Sequence, residues 1–574
     1  MKHVLLIVMS LSLAEPAIAQ AQQRSASGLF PKTTILYAEI PHPSKLLASI
    51  LDHPLRQRIE ALEQYQQAIK SDGYSKFLMG RKFAEIQLGM EWREAIETLT
   101  AKGLHIGVDS ATEGLVVLVH AKDAESLELF RIKLLQLTKL GDNPESIREG
   151  EYRGVTAYEV NKTKFAVVDD WLLITNKSET GKVMLDRLLD GGGESLADRP
   201  KFVAAVEKHQ QSTAWGFADL QTLRNAGVAK NLFAGRADNP AGELLFGGIA
   251  DVLEETTFAT AQLDLALEGL SLEFFVPMKG DWISETRNYF FGADQWGVGP
   301  KLPEINDTLF TLSAYRDVSE MWLRAGDLFG EAVNDGLAEA DANLTTFFSG
   351  KDFGEEILGA LTPQIGFVAS RQDFAGLLPL PAIKIPQFAL VMELREPEKM
   401  TRELRRTFQS MIGFFNVIGA MEGRPQLEMD MDKLDNGAQL ITSVYIPEQG
   451  EEESTAAPIL FNFSPSVGFA GERFVVASTD RLARELVAGD TALPAGKANT
   501  AAHLHAGVLQ TILSDNKEQL ISQNMLGEGN NREEAEVAIG LLLEFVGYFE
   551  AASINLQTGD DQLSLQFQVQ VETE

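Results

Sequence analysis

The fold is decided by two stretches, LVVLVHAKDAESLELFRIKLLQ (Leu115–Gln136) and FALVMELREPEKMTRELRRTFQ (Phe388–Gln409). In each stretch an apolar run predicts a strand, a short acidic turn follows, and apolar residues at i, i+3, i+4 spacing then predict an amphipathic helix. The same succession of elements at two places in one chain indicates an internal repeat. A repeat matters more than any short motif, because it sets the domain count.

Six further blocks recur in the same order. The members of each pair share a pattern of strands, turns and helices, and the pairs are Thr33–Ile40 with Asp307–Ala314, Trp92–Asp109 with Phe353–Ser370, Tyr152–Val160 with Asp435–Ile446, Asp169–Leu189 with Gly471–Gly489, Thr213–Leu223 with Ala502–Leu513, and Ala259–Val276 with Ala551–Val569. We therefore predict an α+β fold of two tandem repeat lobes, 29–280 and 301–574, joined by 281–300. Each lobe is expected to hold an antiparallel sheet with amphipathic helices packed on one face.

The N-terminus, MKHVLLIVMSLSLAEPAIAQAQQ, is typical of a signal peptide. Lys2 precedes an apolar run from Val4 to Leu13, and Ala17 and Ala19 form a small-x-small cleavage site. The apolar run is about 10 residues long, whereas a membrane-spanning helix needs roughly 20. We predict cleavage of residues 1–19, with cleavage after Ala21 as an alternative, and a buried N-terminal helix as the structural alternative. The expected location is exported, periplasmic or extracellular, with no transmembrane segment after cleavage.

Composition excludes several classes of protein. The chain has 574 residues, 82 acidic and 50 basic side chains, a formal net charge of −32 and no cysteine. Phosphate binding needs concentrated Lys and Arg, so the acidic balance argues against a nucleic-acid partner. The absence of cysteine excludes disulfides, thiol nucleophiles, thiolate zinc sites and a lipoprotein anchor.

Three segments carry a family resemblance: LTPQIGFVAS (361–370), PQFALVMELREPEKMTRELRR (386–406) and GERFVVASTDRLARELV (471–487). Together with the early strand they resemble the bacterial exported family catalogued as domain of unknown function 3352, present here as two divergent tandem copies. The resemblance implies an exported α+β protein with no established reaction and no catalytic residues to carry over. The first copy departs from the pattern, since it has a short turn where the second copy has a Pro-rich segment.

Catalytic and metal motifs are incomplete. The sequence contains no G-x-S-x-G elbow and no H-E-x-x-H helix. His503 and His505 are spaced i, i+2 on a predicted strand, which puts both on one face; polar-face histidines are favoured over a metal pair, because the matching positions of the first copy carry no ligand. Asp169-Asp170 is interpreted as a hairpin tip rather than a carboxylate pair. We predict no catalytic, cofactor-binding or metal-binding residues, and no cofactor.

Two acidic or Gly-rich segments have structural explanations. MDMDKLDNG (Met429–Gly437) begins like a calcium loop but lacks the later ligands, and its Asp435-Asn436-Gly437 sequence favours a hairpin turn. Gly191–Gly193 follow a predicted helix and are interpreted as its C-terminal cap rather than as a phosphate loop.

One loop is a candidate contact site. GLLPLPAIKIP (Gly376–Pro386) has apolar residues between prolines, which prevents a helix and disfavours a central strand. An exposed apolar loop marks a partner, ligand or membrane contact, although this one could equally fold back over the core. Its candidate contact residues are Leu377, Leu378, Leu380, Ile383 and Ile385.

The leading functional hypothesis is a non-catalytic exported binding or assembly protein of unknown ligand, with an unknown protein, envelope or amphiphilic partner. The first alternative is a carrier of lipid or another amphiphile. The second is a hydrolase that depends on carboxylates from different blocks, since such sites leave no local spacing signature. An enzymatic role therefore stays open.

Overall fold

The computed structural model describes residues 25–139, 147–160, 162–191, 193–206, 209, 212–228, 239–294, 296–448, 450, 452–488, 493–559 and 561–573. The described residues fall into two compact units. The first unit comprises those of Met1–Tyr37 and Thr98–Lys208, and the second comprises those of Ala38–Glu97 and His209–Glu574. The predicted signal peptide, 1–19, lies outside the described residues.

The strands are β1 Thr34–Ile40, β2 Gly103–Asp109, β3 Gly114–His120, β4 Ile147–Tyr152, β5 Val155–Val160, β6 Thr163–Val168, β7 Trp171–Thr175, β8 Ala214–Ala218, β9 Ala259–Ala266, β10 Gly269–Pro277, β11 Thr308–Tyr315, β12 Leu361–Ser370, β13 Gln387–Leu394, β14 Leu427–Lys433, β15 Gln439–Tyr445, β16 Ser466–Ala470, β17 Arg473–Ala477, β18 Thr500–His505, β19 Phe549–Gly559 and β20 Gln562–Val571.

The helices are α1 Pro43–Leu51, α2 Pro54–Ala61, α3 Glu63–Ala68, α4 Asp72–Leu88, α5 Trp92–Leu99, α6 Ala124–Lys139, α7 Ser178–Asp190, α8 Pro200–Val206, α9 Leu220–Asn225, α10 Pro240–Glu255, α11 Asn288–Phe291, α12 Val318–Leu323, α13 Ala325–Leu328, α14 Glu331–Phe347, α15 Pro397–Met421, α16 Asp480–Val487, α17 Ala506–Asp515, α18 Lys517–Glu528 and α19 Arg532–Val546.

Local sequence explains where several elements begin and end. The Asn239 side chain accepts a hydrogen bond from Gly242 N, and Pro240 occupies the first turn of α10. Helix α7 ends at Asp190 and is followed by Gly191, whose φ of 65° is the left-handed conformation of a C-terminal cap, as the sequence predicts. The predicted hairpin turns also hold: Asp169 (φ 52°) lies between β6 and β7, and Gly437 (φ 85°) lies between β14 and β15.

In the first unit the strands follow the order β1-β2-β3-β7-β6-β5-β4, and the pairs from β2 to β4 are antiparallel. Helix α6 packs on this sheet through Leu127, which is fully buried against Val119, Ala121 and Leu172. This unit therefore has a core of its own.

In the second unit thirteen strands form an antiparallel sheet in the order β8-β9-β10-β20-β19-β18-β11-β12-β13-β17-β16-β15-β14. The order β11-β12-β13-β17-β16-β15-β14 reproduces that of β1 to β7 in the first unit. At the β10–β20 joint, Glu273 lies opposite Gln566. These two residues are also matching positions of the repeated block LSLEFFV and LSLQFQV, so the joint has the self-complementary register of a two-fold interface.

The predicted α+β class with antiparallel strands is confirmed. The expectation of helices on one face needs correction in the second unit. Helix α16 packs against Val391 and Val475, whereas α15 packs against Met392 and Phe474, which point to the opposite face. A sheet of thirteen strands has apolar side chains on both faces, and helices bury them on each face. The two repeat lobes, 29–280 and 301–574, stay a prediction.

Candidate functional site

The central strands of the second unit carry an apolar face. Cross-strand neighbours on this face form a continuous row from β9 to β17, consisting of Leu263, Leu272, Phe567, Ile554, Ala502, Leu312, Phe367, Leu390 and Val476. Side chains alternate between the two faces along a strand, so the residues one position further along form a row on the opposite face. That row is polar and consists of Asp264, Ser271, Gln568, Ser553, His503 and Thr311.

One end of the apolar face is closed by a dense core. Leu556 of β19 and Leu563 of β20 are buried there against α10 and α11. Tyr289, Phe290 and Phe291 of α11 are fully buried, and Phe290 and Phe291 meet edge to face with ring centroids 4.8 Å apart. Aromatic side chains of this size fill the space between helix and sheet.

A buried ion network lies beside this closed end. Arg287 donates from Nε to Glu243 Oε1 at 2.8 Å and from Nη1 to Asp251 Oδ1 at 2.5 Å, and all three side chains are buried. Tyr289 donates its hydroxyl to Glu243 Oε1 at 2.9 Å. Burial and the neighbouring Glu243 raise the pKa of Tyr289 far above its ordinary value, so the phenol stays a donor.

The other end of the apolar face opens into a cleft of about 690 Å³. Its floor is formed by the sheet and its wall by the helices that follow β1; the apolar lining residues are Ile50, Leu51, Leu55, Ile59, Leu265, Ala266, Leu270, Phe549, Val569 and Val571. Leu265, Leu270 and Val569 are cross-strand neighbours on the apolar face. The cleft is open to solvent, and its predominantly apolar lining is the feature that it shares with small-molecule sites.

The cleft stays open because its wall helices contribute little to the core. Among the residues of α1, α2 and α3, only Pro43 is buried. Ile50, Ile59 and Leu270 remain exposed, at 53%, 41% and 37% of their surface. These apolar side chains face each other across open space and do not pack together, so a ligand can cover them.

Polar groups at the cleft hold its wall in place. The His53 ring accepts at Nδ1 from Leu55 N at 3.1 Å, at the start of α2. Its Nε2 then donates to the carbonyl oxygen of Leu267, in the β9–β10 turn, at 2.9 Å. Arg56 donates to Glu60 Oε1 at 2.6 Å and to the carbonyl oxygen of Leu51 at 2.8 Å. The paired Arg56 and Glu60 leave the cleft lining with no net charge.

A second depression, of about 730 Å³, lies on the polar face. His503 and His505 line it together, with ring centroids 4.3 Å apart, as their i, i+2 spacing predicts. Burial and the neighbouring His505 lower the pKa of His503. His503 lies opposite Thr311 and Ser553 on the neighbouring strands, and His505 lies opposite Ala551. Within the described residues no group of three or more potential metal ligands occurs.

The first unit holds a separate cluster of titratable groups. His120 lies 3.1 Å from Asp170 Oδ2, and its ring stacks on Trp171 with centroids 3.7 Å apart. Lys102 donates to the same Asp170 oxygen at 2.6 Å. Burial lowers the pKa of His120, and it lowers that of His105, in the same sheet, to about 4. Asp170, at the tip of the β6–β7 hairpin, thus forms an ion pair with Lys102 rather than a carboxylate pair with Asp169.

Hydrogen bonds fix most of the loop Gly376–Pro386, which the sequence predicts as a contact site. Leu377 and Leu378 are exposed, whereas Leu380, Ile383 and Ile385 are half-buried. Leu380 N donates to the carbonyl oxygen of Ser454, and the Asn462 side chain accepts from Ile385 N and donates to the carbonyl oxygen of Ile383. The loop is therefore an ordered segment with an apolar tip, and its role as a contact stays a prediction.

Sequence reasoning missed the cleft. Its residues come from four separated parts of the chain, 49–65, 265–270, 549 and 569–571. No local motif joins them. The pairing of β10 with β20 brings 265–270 beside 569–571, Phe549 lies opposite Val571, and His53 joins the helices to the β9–β10 turn. The one sequence feature that could have indicated the cleft is weak. It is the presence of apolar residues on short helices that have no apolar partner nearby in the sequence.

No family model matches the sequence. No curated protein matches it either. Among solved structures, three crystal forms of the protein TP0453 are similar to this chain. Form IV is 9% identical, with a TM-score of 0.26 and coverage of 44% of this chain and 80% of that chain. Form I is 10% identical with a TM-score of 0.25 and coverage of 45% and 80%, and form III is 9% identical with a TM-score of 0.26 and coverage of 49% and 90%.

Among the described residues, no helix is both long enough and apolar enough to cross a bilayer. The chain contains no cysteine, so it forms no disulfide. The resemblance to the family of unknown function stays a prediction.

Proposed function

We propose that this protein is an exported, non-catalytic binding protein that holds the hydrocarbon part of an amphiphile in the apolar cleft. The observation that carries the proposal is the cleft itself, a cavity of about 690 Å³ whose floor is apolar sheet and whose wall is apolar helix. Burying a methylene group there is favourable by about 0.8 kcal/mol. A flexible alkyl chain is the ligand that gains most from such a surface.

The polar groups of the cleft support binding rather than chemistry. His53 hydrogen-bonds to two backbone groups, and Arg56 and Glu60 pair with each other. Each of these side chains is thus engaged in holding the wall helices. Since the lining carries no net charge, we expect a ligand whose head group is zwitterionic or neutral.

Export and duplication are parts of the same proposal. The predicted signal peptide supports export, and N-terminal sequencing of the mature protein tests it, because retention of residues 1–19 would contradict it. The repeated strand order, together with the β10–β20 register, supports a duplicated ancestor. Duplication also explains the cleft, since its floor combines the last hairpin of each copy.

Titration calorimetry with alkylphosphocholines, from octyl to tetradecyl and below their micellar concentrations, tests the binding proposal. Affinity is expected to rise about fourfold for each added methylene until the cleft is full. Leu270→Asn is expected to weaken binding of the dodecyl compound about tenfold, because it places an amide on the cleft floor.

Ile554→Asn is the matched control for that variant. Ile554 lies on the same apolar face with a similar exposed fraction, 40% against 37%, but does not line the cleft. It should bind the dodecyl compound like the unmodified protein. Affinity independent of chain length, or equal weakening by both variants, would contradict a site in the cleft.

A further inference from the structure

Helix α4, which follows the cleft helices in the chain, has an unusual surface. None of its residues is buried. Met79, Phe83 and Ile86 are exposed over 64%, 50% and 76% of their surface. Their i, i+4, i+7 spacing aligns them within an arc of about 60° on one side of the helix.

Two lysines flank this apolar stripe. At 100° per residue, Lys76 lies about 60° to one side of Met79 and Lys82 about 60° to the other. In the described part of the chain, no carboxylate lies within salt-bridge distance of either ammonium group. The remaining basic residue, Arg81, pairs instead with Glu85 at 3.4 Å, on the side away from the stripe.

Helix α14 shows that this surface is not a general property of the fold. It has the same length of 17 residues, it likewise has no buried residue, and like α4 it precedes the short helical segment that leads into a strand. Yet α14 carries four acidic residues and no basic one, whereas α4 carries three basic and two acidic residues. Of its large apolar side chains, only Phe347, at its last position, is exposed.

From this charge pattern we infer that α4 docks on an anionic lipid surface, with Met79, Phe83 and Ile86 inserted at the level of the acyl chains and Lys76 and Lys82 on the head groups. Phe77, which is exposed over 61% of its surface, lies about 160° from Met79 and is outside the docked face. The lysine stems extend along the stripe of Met79, Phe83 and Ile86 and place the ammonium groups in the polar layer, as lysines do at membrane interfaces. A helix of 17 residues extends about 25 Å along such a surface.

The net charge of −32 does not oppose this docking. Charges separated from the lipid by more than about 8 Å are screened at physiological ionic strength. Helix α4 itself carries three basic and two acidic residues, a net charge of +1, and its acidic residue on the side of the stripe, Asp72, stands at the first position of the helix. The locally positive character of α4 within an acidic protein favours this helix as the part that approaches the membrane.

Flotation of the full chain with vesicles tests the inference. Vesicles of phosphatidylcholine and phosphatidylglycerol in equal parts are expected to bind the protein, and vesicles of phosphatidylcholine alone to bind it at least tenfold more weakly. Each lysine near an anionic surface contributes about fivefold to binding. Lys76→Gln with Lys82→Gln should therefore lower the partition coefficient about 30-fold, and Met79→Asn with Ile86→Asn should abolish flotation.

The charge control is Asp335→Asn with Glu339→Gln in α14, which raises the net charge by two units where the lysine variant lowers it by two. It should leave flotation within about twofold of the unmodified protein, because α14 is not in the docked surface. Binding unaffected by the lysine changes, or raised by the control by a factor as large as the lysine variant's loss, overturns the inference, as does absence of flotation by the unmodified protein. Since all of these side chains are exposed, an unchanged circular dichroism spectrum and thermal midpoint verify folding.

This inference and the proposed cleft function can fail separately. The lysine variant should bind dodecylphosphocholine with unchanged affinity, and Leu270→Asn should float like the unmodified protein. A lysine variant that loses both activities would contradict docking by α4 as an independent function.

Discussion

The two ends of one apolar sheet face differ in how they are covered. At one end, Leu556 is 3% exposed beneath α10 and α11; at the other, Leu270 is 37% exposed in the cleft. Both residues lie on the same face of the sheet. The difference comes from the covering helices: α11 contributes three consecutive buried aromatic residues, whereas α2 and α3 contribute no buried residue.

The polar groups follow the same division. At the closed end one cation, Arg287, is paired with two carboxylates, Glu243 and Asp251, and all three side chains are buried. At the open end Arg56 and Glu60 form a pair in which both side chains are substantially exposed. The helices of the closed end thus bring both large apolar side chains and buried ion pairs. Without them the open end keeps a cavity, and this cavity is the candidate binding site.

Arg287→Met should have the largest effect on this comparison. It leaves Glu243 and Asp251 buried without a cation, which is expected to lower the free energy of unfolding by about 3–5 kcal/mol. Urea denaturation measures the loss. Adding Glu243→Gln and Asp251→Asn should restore part of the stability, because no charge then remains buried. A single variant as stable as the unmodified protein would show that the closed end does not depend on compensated charge.

Paired leucine truncations compare the apolar packing at the two ends. Leu556→Ala should cost about 2–5 kcal/mol, since it removes buried methyl groups and leaves a cavity. Leu270→Ala should cost less than about 1 kcal/mol, because its side chain is already partly solvated. Urea denaturation of the two variants measures both losses of unfolding free energy. Equal losses would mean that the cleft is packed in solution.

Arg56→Met should have the smallest effect. Exposed ion pairs at i, i+4 spacing contribute less than about 0.5 kcal/mol, so its thermal midpoint should stay close to that of the unmodified protein. A loss as large as that of Arg287→Met would show that the open end is held as tightly as the closed one.

The sequence predicted much of the fold from local patterns. A continuous apolar run identified the strand at Leu115–His120, and Asp169 and Gly437 identified hairpin turns that the structure confirms. The i, i+2 spacing of His503 and His505 also placed both rings together. These features depend on neighbours within a few residues, which is why periodicity and turn chemistry reveal them.

The cleft could not be predicted in this way. Leu55, Leu265 and Val569 are separated by hundreds of residues, and each has an ordinary local explanation as a helix or strand residue. The same limit applies to Arg287, whose carboxylate partners lie 36 and 44 residues away. Whether a charged side chain is buried depends on the packing around it, and local sequence does not contain that packing.

Residue type and short-range spacing are sufficient to predict the helices, the strands and the turns. Which apolar residues are buried in the core and which stay exposed depends instead on tertiary packing. Pairing of β10 with β20 extends one sheet through the second unit. The helices then close one end of its apolar face and leave the other open, because free energy of burial depends on how completely side chains exclude water.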